Sequence, residues 1–171
     1  MIFISGVHGV GKSYFCNMVK KRLGIETYSA SELIAAKRKL GFNKDKLVSN
    51  AEDNQHYLLT AIDELREKSK DFIIDGHFCL LDTYGRVKRL SIDVFVNLCP
   101  DTIVLLMEKP EIICHRRKER DSIDISIESV NEFQTEEKKY AEEIAMLVGA
   151  KLYISSGAED LEKIIKLLAS I

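Results

Sequence analysis

The sequence has no apolar run approaching the ~20 residues a helix needs to cross a bilayer, so no membrane span is expected. It has no C-x-x-C pair, because its four cysteines, Cys16, Cys79, Cys99 and Cys114, are scattered. That spacing suggests neither a zinc site nor a disulfide framework, and reduced thiols in a cytoplasmic protein account for it. It has little net charge, −2 at pH 7, so no global field draws it to nucleic acid or a membrane surface. It has only two prolines, Pro100 and Pro110, no internal repeat and no low-complexity linker. No secretory leader is expected, because the first residues already read as a core strand. What is present is 171 residues, 46% hydrophobic and 30% charged, enough for one domain with a sizeable core.

The chain is organised around Gly6-Val7-His8-Gly9-Val10-Gly11-Lys12-Ser13, which reads G-x-x-x-x-G-K-S. It follows the apolar run Met1-Ile2-Phe3-Ile4-Ser5 and precedes a helical pattern with Phe15, Cys16, Val19 and Leu23. This strand–loop–helix setting is the one the motif requires. Three glycines let the backbone turn sharply and approach a ligand with no Cβ in the way. The exposed amides then line an anion site backed by the positive end of the following helix. Lys12 adds a point charge for β- and γ-phosphates, and the Ser13 hydroxyl is a hard oxygen ligand for Mg²⁺. His8, at a variable position of the loop, is assigned no role.

Along the chain, the first helix should run from about Lys12 to Leu23 and stop at Gly24. Residues 26–29 form a short strand. Ser29 and Glu32 have capping-box spacing, with Leu33, Ile34 and Leu40 on the buried side of the helix they open and Gly41 at its end. A polar loop with Lys44 and Lys46 follows. Ser49 and Glu52 are a second capping pair, for a helix with Leu58, Ala61, Ile62 and Leu65 inward that ends near Lys70. Phe72-Ile73-Ile74 is a buried strand delivering Asp75, Gly76 and His77 to its end. Residues 78–81 and 87–90 predict a hairpin around residues 82–86. Ser91 caps a short helix, and residues 102–107 are the clearest strand. Pro110 suits the first position of a helix carrying residues 115–120. A brief gap leads to a long helix with Ile127, Val130, Phe133, Tyr140, Ile144 and Leu147 inward, closed by Gly149. Residues 151–154 are a fifth strand. Ser156 and Glu159 cap a last helix with Leu161, Ile164, Ile165 and Leu168 inward.

Strands apolar on both faces, alternating with helices, predict an α/β fold: a parallel sheet covered by helices on both sides. Ligands in such sheets bind at the carboxyl ends of the strands. The glycine loop, Asp75 and Ser155-Ser156-Gly157 all fall at that edge. Asp75 follows a buried run, where a charge needs a partner, and can hold Mg²⁺ across the loop from Ser13, directly or through water. Arg116 and Arg120 lie one helical turn apart and share a face. Arginines on a closing element stabilise the charge spread over a transferring phosphoryl group. Arg117 and Lys118 are expected to face solvent.

With the glycine loop, Asp75-Gly76 after the third strand, Arg116-x-x-x-Arg120 after the fourth and Ser156-Gly157-Ala158 after the fifth, the chain resembles the nucleoside-monophosphate-kinase-like (adenylate-kinase-like) P-loop kinases of short-lid type. It is also similar to bacterial ATP-binding proteins grouped with the P-loop ATPases and kinases. The resemblance covers nearly the full length. It implies a three-layer P-loop NTPase fold with five parallel strands in order 2-3-1-4-5. It implies one domain over residues 1–171, with a core of 1–28, 71–110 and 150–171, acceptor-binding helices at 29–70, and a short lid with flanking helices at 110–149. It implies ATP and Mg²⁺ as cofactors, with ATP held by Gly6, Gly9, Val10, Gly11, Lys12, Ser13, Tyr14, Arg116, Ser156, Gly157 and Ala158. Lys12, Asp75, Arg116 and Arg120 carry catalysis, and Ser13 and Asp75 carry the metal. Adenine is expected between the Arg116 region and residues 155–158.

The acceptor site departs from that pattern. Adenylate kinases carry an arginine in the helix after the second strand and another after the Asp-Gly. Here those places hold Ala35 and Cys79. Asn54 and Gln55 are candidate hydrogen-bonding groups for a base or sugar, and His77 for an acceptor phosphate or as a general base. The leading expectation is an ATP-dependent phosphotransferase acting on a small-molecule acceptor, first a nucleotide or nucleoside. The alternatives are a nucleotide-dependent switch or assembly ATPase with a protein partner, a kinase of a non-nucleotide small molecule, and a kinase of nucleic-acid ends. The near-neutral charge and the lack of an aromatic–basic patch argue against the last.

Overall fold

Strand β1 (Ile2–Ser5) is buried on both faces beyond its first residue, as its unbroken apolar run requires in a sheet covered on two sides. The glycine loop leads from it into α1 (Lys12–Leu23), then β2 (Glu26–Ser29), α2 (Ala30–Gly41) and α3 (Asn50–Lys68). Strand β3 (Phe72–Asp75) is followed by β4 (Cys79–Leu81), β5 (Val87–Arg89) and α4 (Ile92–Leu98). Strand β6 (Thr102–Leu106), α5 (Pro110–Asp121), α6 (Ile127–Val148), β7 (Lys151–Ser155) and α7 (Ala158–Leu168) complete the order. The computed structural model describes residues 1–41, 50–69 and 71–170. The expected cap Ser49 and the lysines Lys44 and Lys46 lie outside the described residues, as do the side chains of Leu40 and Glu52.

The sheet order is β2-β3-β1-β6-β7 with every pairing parallel. Counting parallel strands alone this is 2-3-1-4-5, because β4 and β5 pair only with each other, as an antiparallel hairpin. Register places Ile4 beside Asp75, Asp75 beside Ser29, and Leu106 beside Ser155. The strand ends that carry chemistry therefore share one edge.

Under that edge lies an aromatic cluster. Phe3 and Phe78 have ring centroids 5.2 Å apart, Phe78 and Phe95 4.7 Å, and Phe95 and Tyr140 5.8 Å. Gly76 passes directly over Phe3: a Cβ there would lie 2.8 Å from two ring carbons. Phe3 is 2% exposed and cannot swing aside. Gly76→Ala is expected to cost about 1–3 kcal/mol by overpacking. Urea unfolding measures this, and an unchanged midpoint would contradict the close approach.

Four sequence expectations need correction; one is Ser91, which precedes α4 but makes no side-chain cap bond. Helix α2 starts directly after β2, and the Ser29 hydroxyl pairs with Ser31 Oγ at 2.9 Å instead of boxing with Glu32. Helix α7 is preceded by Gly157 at φ 134°, with no side-chain cap; the Asp160 carboxylate instead accepts from the Ser156 amide at 2.9 Å. Ile127 and Leu147 are 44% and 54% exposed, while Gln134 and Glu137 take buried places on α6. The apolar stripe of α6 is thus interrupted by two polar residues, each of which meets hydrogen-bond partners described below.

Candidate active site

The glycine loop wraps the start of α1. Gly6 sits at φ 145°, and a Cβ on it would lie 2.6 Å from the Leu106 carbonyl, so only glycine fits there. The first loop-to-helix bond is Phe15 N–H to the Gly11 carbonyl at 3.1 Å, and Gly11 supplies no side-chain cap. The amides of Lys12, Ser13 and Tyr14 thus have no intrahelical acceptor, the condition that makes a helix start an anion site. All three residues line a cavity of 780 Å³ with Gly9, Val10 and Gly11, closed on other sides by Met107, Glu108, Arg116, Arg120 and Gly157.

Lys12 Nζ donates to the Gly6 carbonyl at 2.6 Å and reaches the Val7 carbonyl at 3.5 Å. Burial lowers its pKa, while the charges of Asp75 and Glu137 oppose that shift. Arg116 Nη1 donates to the Val10 carbonyl at 3.0 Å and approaches the Gly9 carbonyl at 3.4 Å; Nη2 lies 3.4 Å from Glu108 Oε2. Arg116 therefore grips the loop from α5. Arg120 also lines the cavity and is held by Asp121 at 2.7 and 2.8 Å. Arg117 does not face solvent as expected. Its side chain is 16% exposed, its stem lies against Gly9, and its Nε is 2.9 Å from Asp121 Oδ2. Its long apolar stem covers a loop position with no side chain of its own.

Of the expected nucleotide residues, Gly6 and Ser156 do not line this cavity. Gly6 is buried under Leu106, and Ser156 is exposed with its amide turned to Asp160. The side chain of Ala158 lies outside the described residues.

A second cavity, of 430 Å³, brings together Asp75, His77, Asn54 and Gln55, with Ser29, Phe3, Leu80 and Phe95 among its other walls. Its described lining carries one carboxylate and no lysine or arginine. Arg38 reaches only its wall, donating to Asn54 Oδ1 at 2.7 Å, and Lys37 pairs with Glu64. Asp75 is half-buried. Burial raises its pKa, Lys12 pulls it back, and Glu32 adds to the rise. His77 is pushed down to about 2, chiefly by burial and then by Lys12, so its imidazole stays neutral throughout the physiological range. Its Nδ1 is buried and has no hydrogen-bond partner among the described residues.

His8 lines both cavities and lies on His77, with ring centroids 4.3 Å apart. Partial burial, then the charges of Lys12, Arg117 and Arg120, lower its pKa. Its position in the motif is variable, so nothing in the sequence singles it out. Glu108, Gln134 and Glu137 were also missed. For the last two a signal existed: polar residues standing on the 3–4 apolar spacing of α6.

No cluster of three metal-ligating His, Cys, Asp or Glu side chains occurs among the described residues. The donors fit Mg²⁺ all the same. That ion takes one or two hard protein oxygens and completes its shell with phosphate oxygens and water. Ser13 Oγ and the Asp75 carboxylate are such donors, one in each cavity wall.

A five-stranded parallel sheet with a phosphate-binding loop after β1 defines a P-loop nucleotide-binding protein. A family profile described as AAA domain matches residues 5–134. The chain is 27% identical over 162 residues to adenylate kinase of Thermoplasma acidophilum, covering 91% of this chain and 88% of that protein. The fold is similar to that of shikimate kinase from Acinetobacter baumannii, solved with shikimate, at a TM-score of 0.61 and 17% identity, covering 99% of this chain and 92% of that one. It is also similar to a gluconokinase from Sinorhizobium meliloti, at a TM-score of 0.53 and 16% identity over 99% and 89% of the two chains. The chain belongs to the AAA domain family and is similar to adenylate kinases. It is an ATP-using enzyme of small-molecule phosphoryl transfer.

Proposed function

We propose that the enzyme transfers the γ-phosphoryl group of Mg·ATP to a nucleoside or nucleotide seated in the cavity of Asp75 and His77. The observation that carries this is the junction at His8, which belongs to both cavities. Donor and acceptor bound on either side of it would meet beside Lys12 and Asp75. The helices of residues 29–70 would form the acceptor side and residues 110–149 the lid.

Lys12 and the free loop amides fix the β- and γ-phosphates. When bound, Mg²⁺ supplies charge neutralisation, and Ser13 Oγ and Asp75 would hold it. Adenine would rest between Arg116 and residues 155–158, against Leu161. Asn54 and Gln55 offer hydrogen bonds to a base or sugar. Neutral His77 lines the acceptor cavity and would offer its imidazole there as a hydrogen-bonding group rather than as a cation. Arg120 would swing from Asp121 onto the transferring group. Arg120→Ala is expected to lower kcat by about 10²-fold while ATP affinity changes by less than about threefold. Loss confined to ATP affinity would make Arg120 a binding residue only.

The apolar, cation-poor lining of the second cavity favours an uncharged base-and-sugar body against its walls. The same lack of acceptor-binding cations also fits a second reading, a slow ATPase switch that changes partners. A coupled ADP-release assay separates them, run across nucleosides, nucleoside mono- and diphosphates, sugars and short oligonucleotides. Stimulation by one acceptor, with its phosphorylated product recovered, supports the kinase. Equal slow hydrolysis with every compound supports the switch.

A further inference from the structure

The one fully buried carboxylate among the described residues belongs to no motif. Glu137 lies on the apolar stripe of α6, between Phe133 and Tyr140, and is 1% exposed. An apolar residue there would avoid the desolvation of a carboxylate, and replacing buried charges by apolar groups is often neutral or stabilising. Its hydrogen bonds explain why a carboxylate is used. Oε1 accepts from the Ser5 hydroxyl and from the Phe78 amide at 2.9 Å, and Oε2 accepts from the Cys79 amide at 2.7 Å. Ser5 immediately precedes the glycine loop. Phe78 and Cys79 immediately follow Asp75-Gly76-His77.

The turn at residues 75–77 is thereby pinned at both ends. On its near side the Gly76 amide donates to the Ile4 carbonyl at 2.9 Å. On its far side the next two amides are held by one carboxylate. One helical turn earlier on α6, Gln134 grips the backbone of Glu108 both ways: Nε2 donates to its carbonyl at 2.9 Å and Oε1 accepts from its amide at 3.0 Å. Helix α6 thus braces the loop ends of three adjacent strands, β3, β1 and β6. Glu137 also acts on Lys12 through its charge, opposing the effect of burial on the lysine.

We propose that Glu137 is a positioning residue for phosphoryl transfer, fixing through the Ser5 hydroxyl and the Phe78 and Cys79 amides the direction in which Asp75 enters the site. This rests on the reading of Asp75 given above. A carboxylate is needed because both backbone groups are donors. A glutamine keeps the volume but turns an NH₂ donor toward one of them and removes the charge.

The test is a double-mutant cycle of Glu137→Gln with Asp75→Asn, read on ADP release with the best acceptor or with water. Glu137→Gln alone is expected to lower kcat by about 10–100-fold, with ATP affinity by calorimetry within about threefold of wild type. In the Asp75→Asn background the same change is expected to cost less than about threefold, because there is no carboxylate left to aim. A merely structural Glu137 would give losses that multiply, and that result overturns the proposal, as does an unchanged kcat in the single variant. If Glu137→Gln does not fold, Glu137→Asp carries the same cycle, since it keeps the charge and shortens the reach. Absence of ADP release in the wild-type protein would sink the proposed function; multiplicative losses would sink this inference alone.

Discussion

Replacing Lys12 with alanine is expected to abolish turnover, lowering kcat by about 10³-fold or more. The side chain lies where the glycine loop, Asp75 and Glu137 converge, with Nζ 2.6 Å from the Gly6 carbonyl. Burial lowers its pKa, and two carboxylates oppose that effect in part. A cation so placed suits the phosphates proposed to bind there. The fold should survive, because the buried face of α1 rests on Phe15, Cys16 and Val19. Circular dichroism and the ADP-release assay check both halves. Wild-type rates in this variant would remove the glycine loop from the mechanism.

Asp75→Asn is expected to move activity and stability in opposite directions. The Asp75 pKa is raised, chiefly by burial, so at neutral pH the folded state carries a carboxylate it would hold more easily as the neutral acid. Sign matters here. A folded pKa above the unfolded one means the ionised group costs stability at pH 7, and a neutral amide removes that cost. The unfolding midpoint should therefore hold or rise. The change also removes the negative charge of the donor proposed for Mg²⁺, leaving only a neutral amide oxygen, and kcat should fall by about 10²–10³-fold. Thermal unfolding and steady-state kinetics on one preparation decide it. A lower midpoint with kcat intact would make Asp75 a structural residue.

Local chemistry made much of this legible in the sequence. Gly6 to Ser13 required a strand before and a helix after, and both are there. The apolar runs at residues 72–74 and 102–106 had to be central strands, and the separate pairing of β4 with β5 was marked by the Asp82–Arg86 turn. Pro110 set the start of α5. What could not be read was whatever depends on partners distant in sequence. Arg117 belongs to a run of charges, yet its stem covers Gly9, more than a hundred residues away. Gln134 and Glu137 stand on the apolar spacing of α6, which marks them as buried, but only packing reveals that they meet Glu108, Ser5 and Phe78. Capping spacings at Ser29 and Ser156 misled for a related reason: β2 runs straight into α2, and Asp160 bonds the Ser156 amide before any cap can form.

The most direct measurement is the amide spectrum of the protein titrated with a non-hydrolysable Mg·ATP analogue. The account predicts that the backbone signals of Gly9, Gly11, Lys12, Ser13 and Tyr14 move first and furthest, with saturable binding that Lys12→Ala weakens. Binding that leaves those five amides unmoved, or no binding at all, would contradict it.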